Sequence, residues 1–470
     1  MKNILDHFFK PKSVAIIGAS NNKMSWGNWV SQNILAYKMQ NRGEVYFINK
    51  KGNDVLGEPA YYSISDIPGT IDFAVIIIPN YKVPEILEEC GKKGVKVCTI
   101  ITGGYSEIPK EESIDGYKFQ DQLIKIMEKY NIKIHGPNCN GFYNVKCGIN
   151  VSSMPNKFLI DSPVALITQS GYIGQALSYW GFGRKYTFGK YISTGNELDL
   201  TVTDYIEYFG NDPSVKVICV YIEGLKDGMR FKKVCQEVVK RKPILIWKTS
   251  DHEDVSRAAR SHTGKLVGNK QVFDSVVNQI RLFQTKYVEH FLPVSFGLIK
   301  HPPLLGKKIG IMTFGAGFGV ILTNAIVDNG FVVPEFSQNI KLKLRKIIKT
   351  IRASVKNPVD IGASGTYTQD VYLRTARVLL KSNEIDCLIV TNLGENGLVV
   401  EEGHELEDYI AQKLQEYEIN YNKPILLFTI LTSFDSKSVK NIESRGPVYH
   451  RVNDLIETLK ALYFYNFYRH

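Results

Sequence analysis

The sequence predicts an α/β protein built on parallel sheets, and three observations support this fold class. Short apolar runs such as Ser13–Ile17 and Val164–Ile167 are typical of parallel strands, which are buried on both faces. These runs alternate with helical patterns, as βαβ units do. Glycine-rich turns join a strand to the next helix at Gly18, Gly171 and Gly315. Ligands of such sheets lie at the carboxyl ends of the strands.

The first third of the chain predicts one parallel sheet of its own. A helical pattern opens at Trp26, and two more helices are predicted at about 83–93 and 116–129. The strands are predicted at Ser13–Ile17, Glu44–Ile48, Phe73–Ile78 and Val95–Ile101, and the segment Ile134–Gly141 closes the unit. Cys139 in that last segment is interpreted as a packing residue, because no base stands near it in the sequence.

The first glycine turn runs from Gly18 to Lys23 and leads to the helix that opens at Trp26. Backbone N–H groups and the helix dipole make such a turn an anion site, although the full Gly-x-Gly-x-x-Gly pattern is absent. The second strand ends in Lys50 and Lys51, where a nicotinamide enzyme using NAD favours an acid for the ribose diol. Two lysines suit a phosphorylated ribose instead, as in NADP or coenzyme A.

The middle third places two polar groups at one predicted sheet edge. Ser170 is expected to cap the helix that follows it, and Gly171 lets a ligand approach the backbone. Glu223 ends a strand predicted at Val215–Ile222 and lies at the same edge. It either orients a histidine by accepting its second N–H or is a surface acid paired with Lys226.

A glycine-punctuated loop, Ala258–Gly268, carries His262 between two hydroxyl residues. A neutral imidazole nitrogen is nucleophilic near neutral pH, so a loop histidine can act as base, ligand or phosphate carrier. The alternative is an ordinary exposed histidine. Two glycine turns and a strand-end acid favour the phosphate carrier, because they are the groups that a phosphohistidine needs.

In the last third, Phe314–Gly319 follows a predicted strand and opens a helix, which predicts a second anion-binding helix N-terminus. Lys300–Pro303 is interpreted as a linker, and Asn357–Gly362 as a tight segment between helices. The remaining predicted elements are strands at 386–391 and 424–429 and helices at about 402–416 and 453–468.

Composition excludes several classes of protein. No apolar run is long enough for a membrane helix, and Met1–Phe9 is too short and polar for a secretory signal. The 7 cysteines form no Cys-x-x-Cys pair, which indicates a reducing cytoplasm and no metal site. The net charge of +11 comes from basic residues interleaved with acids, so nucleic-acid binding is not expected. No P-loop occurs.

Six motifs, taken in one order, resemble the NDP-forming acyl-CoA synthetases, relatives of succinyl-CoA synthetase. The resemblance extends from about residue 10 to the C-terminus and implies three domains. These are a Rossmann-like CoA-binding domain (1–150), a flavodoxin-like ligase domain with the phosphohistidine loop (151–297) and a second flavodoxin-like ligase domain (298–470). The motifs are Ser13–Ser20, Gly136–Cys139, Gln169–Gly171, Tyr221–Gly224, Ser261–Gly264 and Asn357–Asp360.

The resemblance also implies roles for individual residues. His262 would accept and carry a phosphoryl group, and Glu223 would support it. Two helix N-termini would hold the phosphate, at Ser170 and Gly171 and at Gly315, Ala316 and Gly317. The residues expected to bind coenzyme A are Gly18, Ala19, Ser20, Asn21, Lys23, Gly27, Asn28, Lys51, Pro79, Thr102, Gly103 and Asn138. Asn140 and Phe318 depart from the family pattern, without removing a chemical group.

The implied reaction interconverts acid, CoA and nucleoside triphosphate with acyl-CoA, nucleoside diphosphate and phosphate. Many relatives carry a fused ATP-grasp domain, for which this chain has no room. We therefore expect an alpha-type subunit of a cytoplasmic hetero-oligomer, with Mg-nucleotide on an ATP-grasp beta-type subunit. The rival functions are an NADP-linked oxidoreductase and a non-catalytic CoA sensor or scaffold. No pattern indicates which carboxylic acid is used, or ADP rather than GDP.

Overall fold

The computed structural model describes residues 2–52, 54–182, 186–249, 269–350, 353–362, 369–395, 398 and 402–468. The chain separates into two compact units. The first comprises Met1–Phe182 with Tyr186–Gln284, and the second comprises Thr285–His470 with Gly183–Lys185. Two sheets lie in the first unit and one in the second. The predicted α/β class with three largely parallel sheets is confirmed, whereas the domain limits at 150 and 297 stay predictions.

The first sheet has six strands in the order β3-β2-β1-β4-β5-β6, and every pairing within it is parallel. All five residues of β1 are buried, as expected of a central parallel strand. The strands are β1 (Ser13–Ile17), β2 (Glu44–Ile48), β3 (Ala60–Tyr61), β4 (Phe73–Ile76), β5 (Val97–Ile100) and β6 (Lys133–His135).

The helices of this part are α1 (Lys2–Phe9), α2 (Trp26–Met39), α3 (Val83–Lys93) and α4 (Ile114–Tyr130). Helix α2 begins after Ser25, whose side chain accepts a hydrogen bond from the N–H of Asn28. Helices α3 and α4 end at Gly94 and Asn131, which take the left-handed conformation that commonly stops a helix. Short 3-10 helices lie at Ile64–Asp66, Asn80–Lys82, Asn156–Phe158 and Val288–His290.

Helix α1 packs into the core of the first unit. Its Phe8 and Phe9 are buried, and their ring centroids lie 5.3 Å from Phe73 and 5.2 Å from Phe142 respectively. Phe73 belongs to the first sheet, and Phe142 begins a strand of the second. The N-terminal segment therefore joins the cores of two sheets, which its sequence alone did not reveal.

The second sheet has the strand order β13-β12-β11-β9-β10-β7-β8. Its pairings are parallel except those that β7 makes with β10 and β8. The strands are β7 (Phe142–Asn144), β8 (Ile149–Asn150), β9 (Val164–Thr168), β10 (Lys190–Ser193), β11 (Val217–Ile222), β12 (Ile244–Lys248) and β13 (Phe283–Gln284). The accompanying helices are α5 (Gly171–Phe182), α6 (Val202–Gly210), α7 (Gly228–Val239) and α8 (Lys270–Ile280).

The third sheet is parallel throughout, in the order β15-β14-β16-β17-β18. The strands are β14 (Ile309–Thr313), β15 (Val359–Asp360), β16 (Cys387–Thr391), β17 (Ile425–Phe428) and β18 (Val448–Tyr449). The helices are α9 (Phe291–Lys300), α10 (Ala316–Asp328), α11 (Gln338–Ile347), α12 (Gln369–Lys381), α13 (Gly403–Tyr421), α14 (Lys437–Glu443) and α15 (Val452–Tyr468).

Two connecting segments of the second unit are held more firmly than the sequence indicated. The expected tight segment Asn357–Gly362 lies between helices α11 and α12 and contains strand β15, which pairs with β14. The side-chain N–H of Asn357 donates to the carbonyl of Ile309 at 2.9 Å and holds the segment against β14. The expected linker at Lys300–Pro303 is anchored, because His301 is buried with Nδ1 2.7 Å from Glu418 Oε1.

Candidate functional site

A cavity of about 830 Å³ lies in the first unit, at the carboxyl ends of strands from both of its sheets. The turn after β1, the ends of β4 and β5 and the start of α5 all contribute to its wall. It thus occupies the edge where parallel sheets bind their ligands. The residues predicted from sequence that line it are Gly18, Ser20, Gly27, Pro79, Thr102, Gly103, Asn138 and Gly171.

The first glycine turn needs its glycines for close backbone packing. Gly18 has φ +97°, and a Cβ there would lie 2.1 Å from the carbonyl oxygen of Ile77. A Cβ on Gly27 would lie 2.1 Å from the carbonyl oxygen of Gly18. Because Trp26 and Gly27 start helix α2 and line the cavity, their backbone N–H groups are available to a phosphate. The turn therefore fits a pyrophosphate such as that of coenzyme A.

Three of the expected cofactor residues support this turn. The side-chain amide of Asn28 donates to the carbonyl of Ser20 at 2.9 Å. That of Asn21 donates to the carbonyl of Asp54 at 2.7 Å. The carbonyl of Lys23 accepts the indole N–H of Trp29 at 2.8 Å, while the lysine itself is exposed. Asn21 and Asn28 thus shape the turn, and none of the three residues lines the main cavity.

An adjoining cavity of about 440 Å³ shares Gly18 and Pro79 with the first. Ala19 and Lys50 line it, whereas Lys51 is absent from its wall. The backbone N–H of Lys51 donates to the side chain of Asn49 at 2.9 Å, which turns the chain at this point. Lys50 is therefore the lysine of this pair that reaches the ligand side of the sheet.

The loops after β4, β5 and β6 are tied together beside the cavity. The hydroxyl of Thr102 donates to the carbonyl of Ile78 at 2.6 Å. A Cβ on Gly103 would lie 2.8 Å from Asn138 Oδ1, so a larger residue has no room there. The amide of Asn138 donates to Asn196 Oδ1 at 3.2 Å and connects this edge to the loop after β10.

The N-terminus of helix α5 forms the opposite wall. The Thr168 hydroxyl accepts the N–H of Ser170 at 3.1 Å and donates to its carbonyl at 2.8 Å. Thr168, rather than the expected Ser170, is therefore the hydroxyl that fixes this turn. The N–H groups of Gly171 and Tyr172 find no backbone acceptor among the described residues. They begin the helix and face the cavity, an arrangement that favours an anion.

Gly171 is enclosed by its neighbours. A Cβ on it would lie 2.6 Å from Cβ of Asn140 and 3.2 Å from the hydroxyl of Ser193. The amide of Asn140 donates to the carbonyl of Gly171 at 3.2 Å and to Gln175 at 3.1 Å. Asn140, the departure from the family pattern, thus holds the first turn of α5.

Glu223 is buried at the end of β11, on the same edge as Ser170. Its Oε1 accepts the hydroxyl of Tyr221 at 3.3 Å. Burial, followed by the charge of Glu223, raises the pKa of the Tyr221 hydroxyl. Lys226 donates instead to the backbone carbonyl of Glu197, so the alternative of a surface Glu223–Lys226 pair is wrong.

The sequence interpretation included Gln169 in a motif but missed its role, which is to join two strand ends. Its side-chain oxygen accepts the N–H of Glu223 at 2.6 Å and of Gly224 at 3.0 Å. Its amide donates to the carbonyl of Gly224 at 2.7 Å and to Glu197 Oε2 at 3.0 Å. The signal in the sequence that could have revealed this role is a polar residue directly after an apolar strand. In the structure this residue is buried.

His262 lies in the segment 250–268, outside the described residues. The flanking strand β12 ends at Lys248, on the same edge of the sheet as Glu223, because β12 pairs in parallel with β11. The helix after the segment, α8, begins at Lys270. The proximity of His262 to Glu223 stays a prediction.

In the second unit, helix α10 starts directly after the turn at Gly315. The hydroxyl of Thr313 accepts the N–H of Gly315 at 3.1 Å and donates to its carbonyl at 2.6 Å. A Cβ on Gly315 or Gly317 would meet nothing within 4 Å. With Ala316, these residues form a second open helix N-terminus of the predicted kind.

Cys139 lines the main cavity but is no nucleophile. Its thiol is buried and donates to the carbonyl of Ile100 at 3.4 Å. Burial raises the pKa of the Cys139 thiol to about 12, so the reactive thiolate is scarce near neutral pH. The structure agrees with a packing role.

Neither a metal cluster nor a membrane span is found in the described part of the chain. No group of three or more His, Cys, Asp or Glu side chains there is arranged to hold a metal ion. None of its helices is long and apolar enough to cross a membrane.

Three family models match successive parts of the chain. A CoA binding domain matches residues 12–144, and a succinyl-CoA ligase like flavodoxin domain matches residues 161–295. A Ligase-CoA domain matches residues 309–401. The main cavity lies between the segments that the first two models match.

Similar proteins match over almost the full length. The chain is 34% identical to the ADP-forming acetate–CoA ligase II subunit alpha of Pyrococcus furiosus, over 98% of this chain and 97% of that protein. It is 30% identical to the ADP-forming 4-hydroxybutyrate–CoA ligase of Nitrosopumilus maritimus, over 96% of this chain and 63% of that protein. Among solved structures, the chain resembles the dinucleotide-forming acetyl-coenzyme A synthetase 1 of Ca. Korarchaeum cryptofilum in complex with phosphate and ADP. The two superimpose with a TM-score of 0.84 at 28% identity, over 100% of this chain and 98% of that one.

Proposed function

Because this chain belongs to the ADP-forming acyl-CoA synthetases, we propose that it works as an alpha-type subunit of such an enzyme. The reaction interconverts a carboxylic acid, CoA and a nucleoside triphosphate with acyl-CoA, nucleoside diphosphate and phosphate. The near-complete match to a protein named subunit alpha supports the subunit type.

One observation of the geometry carries the proposal. The glycine turn at Gly18 and the N-terminus of α5 at Gly171 line the same cavity. Transfer of an acyl group between CoA and phosphate requires both reactants in one space, because the phosphate oxygen must reach the thioester carbon. An oxidoreductase or a CoA sensor has no need of the second anion site in this cavity.

The chemistry runs in two displacement steps on this chain. An oxygen of phosphate attacks the thioester carbon, the carbon–sulfur bond breaks, and CoA leaves as the thiol after taking up a proton. A ring nitrogen of His262 then attacks the phosphorus of the acyl phosphate, and the carboxylate leaves. Glu223 accepts the other ring N–H and keeps the attacking nitrogen free of its proton.

The residues around the phosphoryl group act by electrostatics. Backbone N–H groups at Gly171 and at Ala316 and Gly317 would donate to its oxygens. Ser170 and Gly315 would shape the two turns, because their own N–H groups donate to Thr168 and Thr313. The dipoles of α5 and α10 add positive potential at the same helix ends. No metal ligand from this chain is required for these steps.

The remaining step belongs to a partner. An ATP-grasp beta-type subunit would hold the Mg-nucleotide that exchanges a phosphoryl group with His262. The two proteins would form a hetero-oligomer in the cytoplasm, and the seven free cysteines suit that reducing compartment.

Labelling with radioactive phosphate tests the proposal. The full chain, given acyl-CoA and labelled phosphate without nucleotide, should acquire a label that is lost in acid and retained in alkali. His262→Ala should abolish the label and leave CoA affinity nearly unchanged, because the residue acts in chemistry rather than binding. His252→Ala, in the same segment, is the matched control and should label normally. Acid-stable label, or label on His262→Ala, would contradict the mechanism.

A further inference from the structure

A separate cavity of about 560 Å³ lies at the opposite edge of the sheets of the first unit. Its walls include Lys10, before β1, and Asp212, before β11. The main cavity lies at the other ends of these strands, roughly 15–20 Å away for strands of this length. We call this space the amino-edge cavity, and no residue lines both cavities.

Three cationic and two anionic side chains line the amino-edge cavity. The cations are Lys10, Arg42 and Lys146, and Arg42 donates to Gln40 at 3.0 Å and to the carbonyl of Lys146 at 3.3 Å. Two carboxylates are also present, but both are engaged by neighbours. Asp6 accepts the hydroxyl of Tyr208 at 2.8 Å, and Asp212 accepts the N–H of Ser214 at 2.8 Å.

Lys190 adds a buried cation next to this wall. It is 1% exposed and lies in β10, directly opposite Asn144 of the neighbouring antiparallel strand β7. Asn144 is a residue of the cavity wall. Directly opposed residues of an antiparallel pair lie side by side on one face. Nζ of Lys190 is buried and finds no hydrogen-bond partner among the described residues.

The electrostatics agree with this placement. Burial lowers the pKa of Lys190, and the charge of Asp212 opposes the shift. Burial raises the pKa of the Cys147 thiol, which also lines the cavity, and the nearby charge of Lys190 opposes that shift. A buried ammonium without an acceptor is costly to fold, and a bound anion would remove that cost.

We propose that the amino-edge cavity binds a phosphate group, either free or on a small monoester. Lys190 would donate from below and Lys10, Arg42 and Lys146 from the sides, which suits a doubly charged oxyanion better than a single carboxylate. The cavity exceeds the size of inorganic phosphate and leaves room for an ester. This proposal is independent of the proposed function, because it uses none of the residues of the main cavity.

Cys147 provides a local reporter. It is half-buried, whereas the other six cysteines are buried, so it is the thiol that a reagent reaches first. Burial raises the pKa of the Cys147 thiol, and Lys10, Lys190 and Arg42 lower it. A bound phosphate would cover the thiol and cancel part of this positive potential. Covering limits the access of the reagent, and the loss of positive potential reduces the thiolate, so both effects slow alkylation.

The experiment measures alkylation of Cys147 in the full chain by neutral iodoacetamide, followed by mass spectrometry of its peptide. Inorganic phosphate should slow the reaction saturably by about tenfold, the effect of one pKa unit, relative to chloride at equal ionic strength. A second arm with glycerol phosphate separates the two sources. If glycerol phosphate slows the alkylation at a lower concentration than inorganic phosphate does, the site binds an ester. If it slows the alkylation equally or less, the site binds free phosphate.

Lys190→Met should abolish the slowing without lowering the unfolding temperature, because it replaces a buried charge by an apolar chain of similar length. Lys146→Met, at the exposed rim, should weaken it. Lys125→Met, on the exposed face of α4, controls for net charge and should behave like the parent protein. Phosphate no more effective than chloride, or full slowing retained in Lys190→Met, would overturn the proposal.

Discussion

The two compact units use the same device to join a central strand to a helix, with different surroundings. In each turn a threonine hydroxyl bonds both the N–H and the carbonyl two residues ahead: Thr168 with Ser170, and Thr313 with Gly315. Beyond that device the turns diverge. Gly171 is enclosed by Asn140 and Ser193, whereas a Cβ on Gly315 would meet open space.

The neighbouring strands differ as well. β11 pairs with β9 and ends in the buried acid Glu223. β16 pairs with β14 and is followed at the matching position by Leu393, which is apolar and buried. The threonine hydroxyl builds a helix N-terminus that suits an anion in both units. The strand-end residue at this position is an acid in the first unit and a leucine in the second, whose turn has Asp360 of β15 on its other side. The two turns therefore share their hydrogen bonding but differ in the enclosure of the glycine and in the side chain at the end of the neighbouring strand.

The sharpest test of this difference substitutes alanine for one glycine in each turn. Gly171→Ala should destabilise its unit by about 1–3 kcal/mol, the cost of overpacking, because the added Cβ would lie 2.6 Å from Cβ of Asn140. Phosphate labelling should fall with it. Gly315→Ala should leave stability within about 0.5 kcal/mol, since φ of −149° suits any residue and the space is open.

Urea unfolding, followed by hydrogen exchange in each unit, provides the measurement. The units are compact by themselves, so a single global transition is not assumed. Equal losses for the two variants would contradict the distinction between an enclosed and an open turn. A loss of labelling in Gly315→Ala at full stability would instead show the open turn in contact with phosphate.

A smaller effect is expected at the acid. Glu223→Gln keeps an oxygen for the Tyr221 hydroxyl and removes the charge, so the fold should be retained. Labelling should slow by roughly ten- to a hundredfold, the range for losing an orienting partner of a reactive histidine. Glu237→Gln, at an exposed acid of α7 that pairs with Lys240 at 2.7 Å, is the matched control. An unchanged rate in Glu223→Gln would remove Glu223 from the mechanism.

Much of this arrangement was predictable because strand ends are visible in a sequence. Apolar runs located the strands, and parallel pairing then put Gly18, Thr102, Gly171 and Glu223 at carboxyl edges. The prediction failed at finer detail, where the choice between two neighbouring residues determines which side chain fixes a turn. Ser170 and Thr168 both carry hydroxyl groups close to the start of the helix. The backbone conformation of the turn decides that the Thr168 hydroxyl accepts the N–H.

Other parts of the site had no local signal. Gln169 bonds residues 54 and 55 positions later in the chain, so its role depends on which strands become neighbours. Lys190 is an ordinary lysine in the sequence, and its burial follows from an antiparallel pairing that the predicted parallel sheet did not contain. Contacts of this kind are set by topology rather than by pattern.

The last prediction tests what the two turns share. Thr168→Val and Thr313→Val each keep the side-chain shape and remove the hydroxyl that bonds one N–H and one carbonyl. The Thr313 hydroxyl also accepts the hydroxyl of Thr391 at 3.0 Å. Each should cost about 1–2 kcal/mol, because buried backbone groups lose a partner. Both threonines are buried, so the two losses should agree to within about 1 kcal/mol, the contribution of the additional bond to Thr391. Thr168→Ser and Thr313→Ser keep the hydroxyl and should recover most of the stability. If one valine variant were neutral, the shared threonine device would not hold that turn, and the likeness of the two helix N-termini would be one of backbone shape alone.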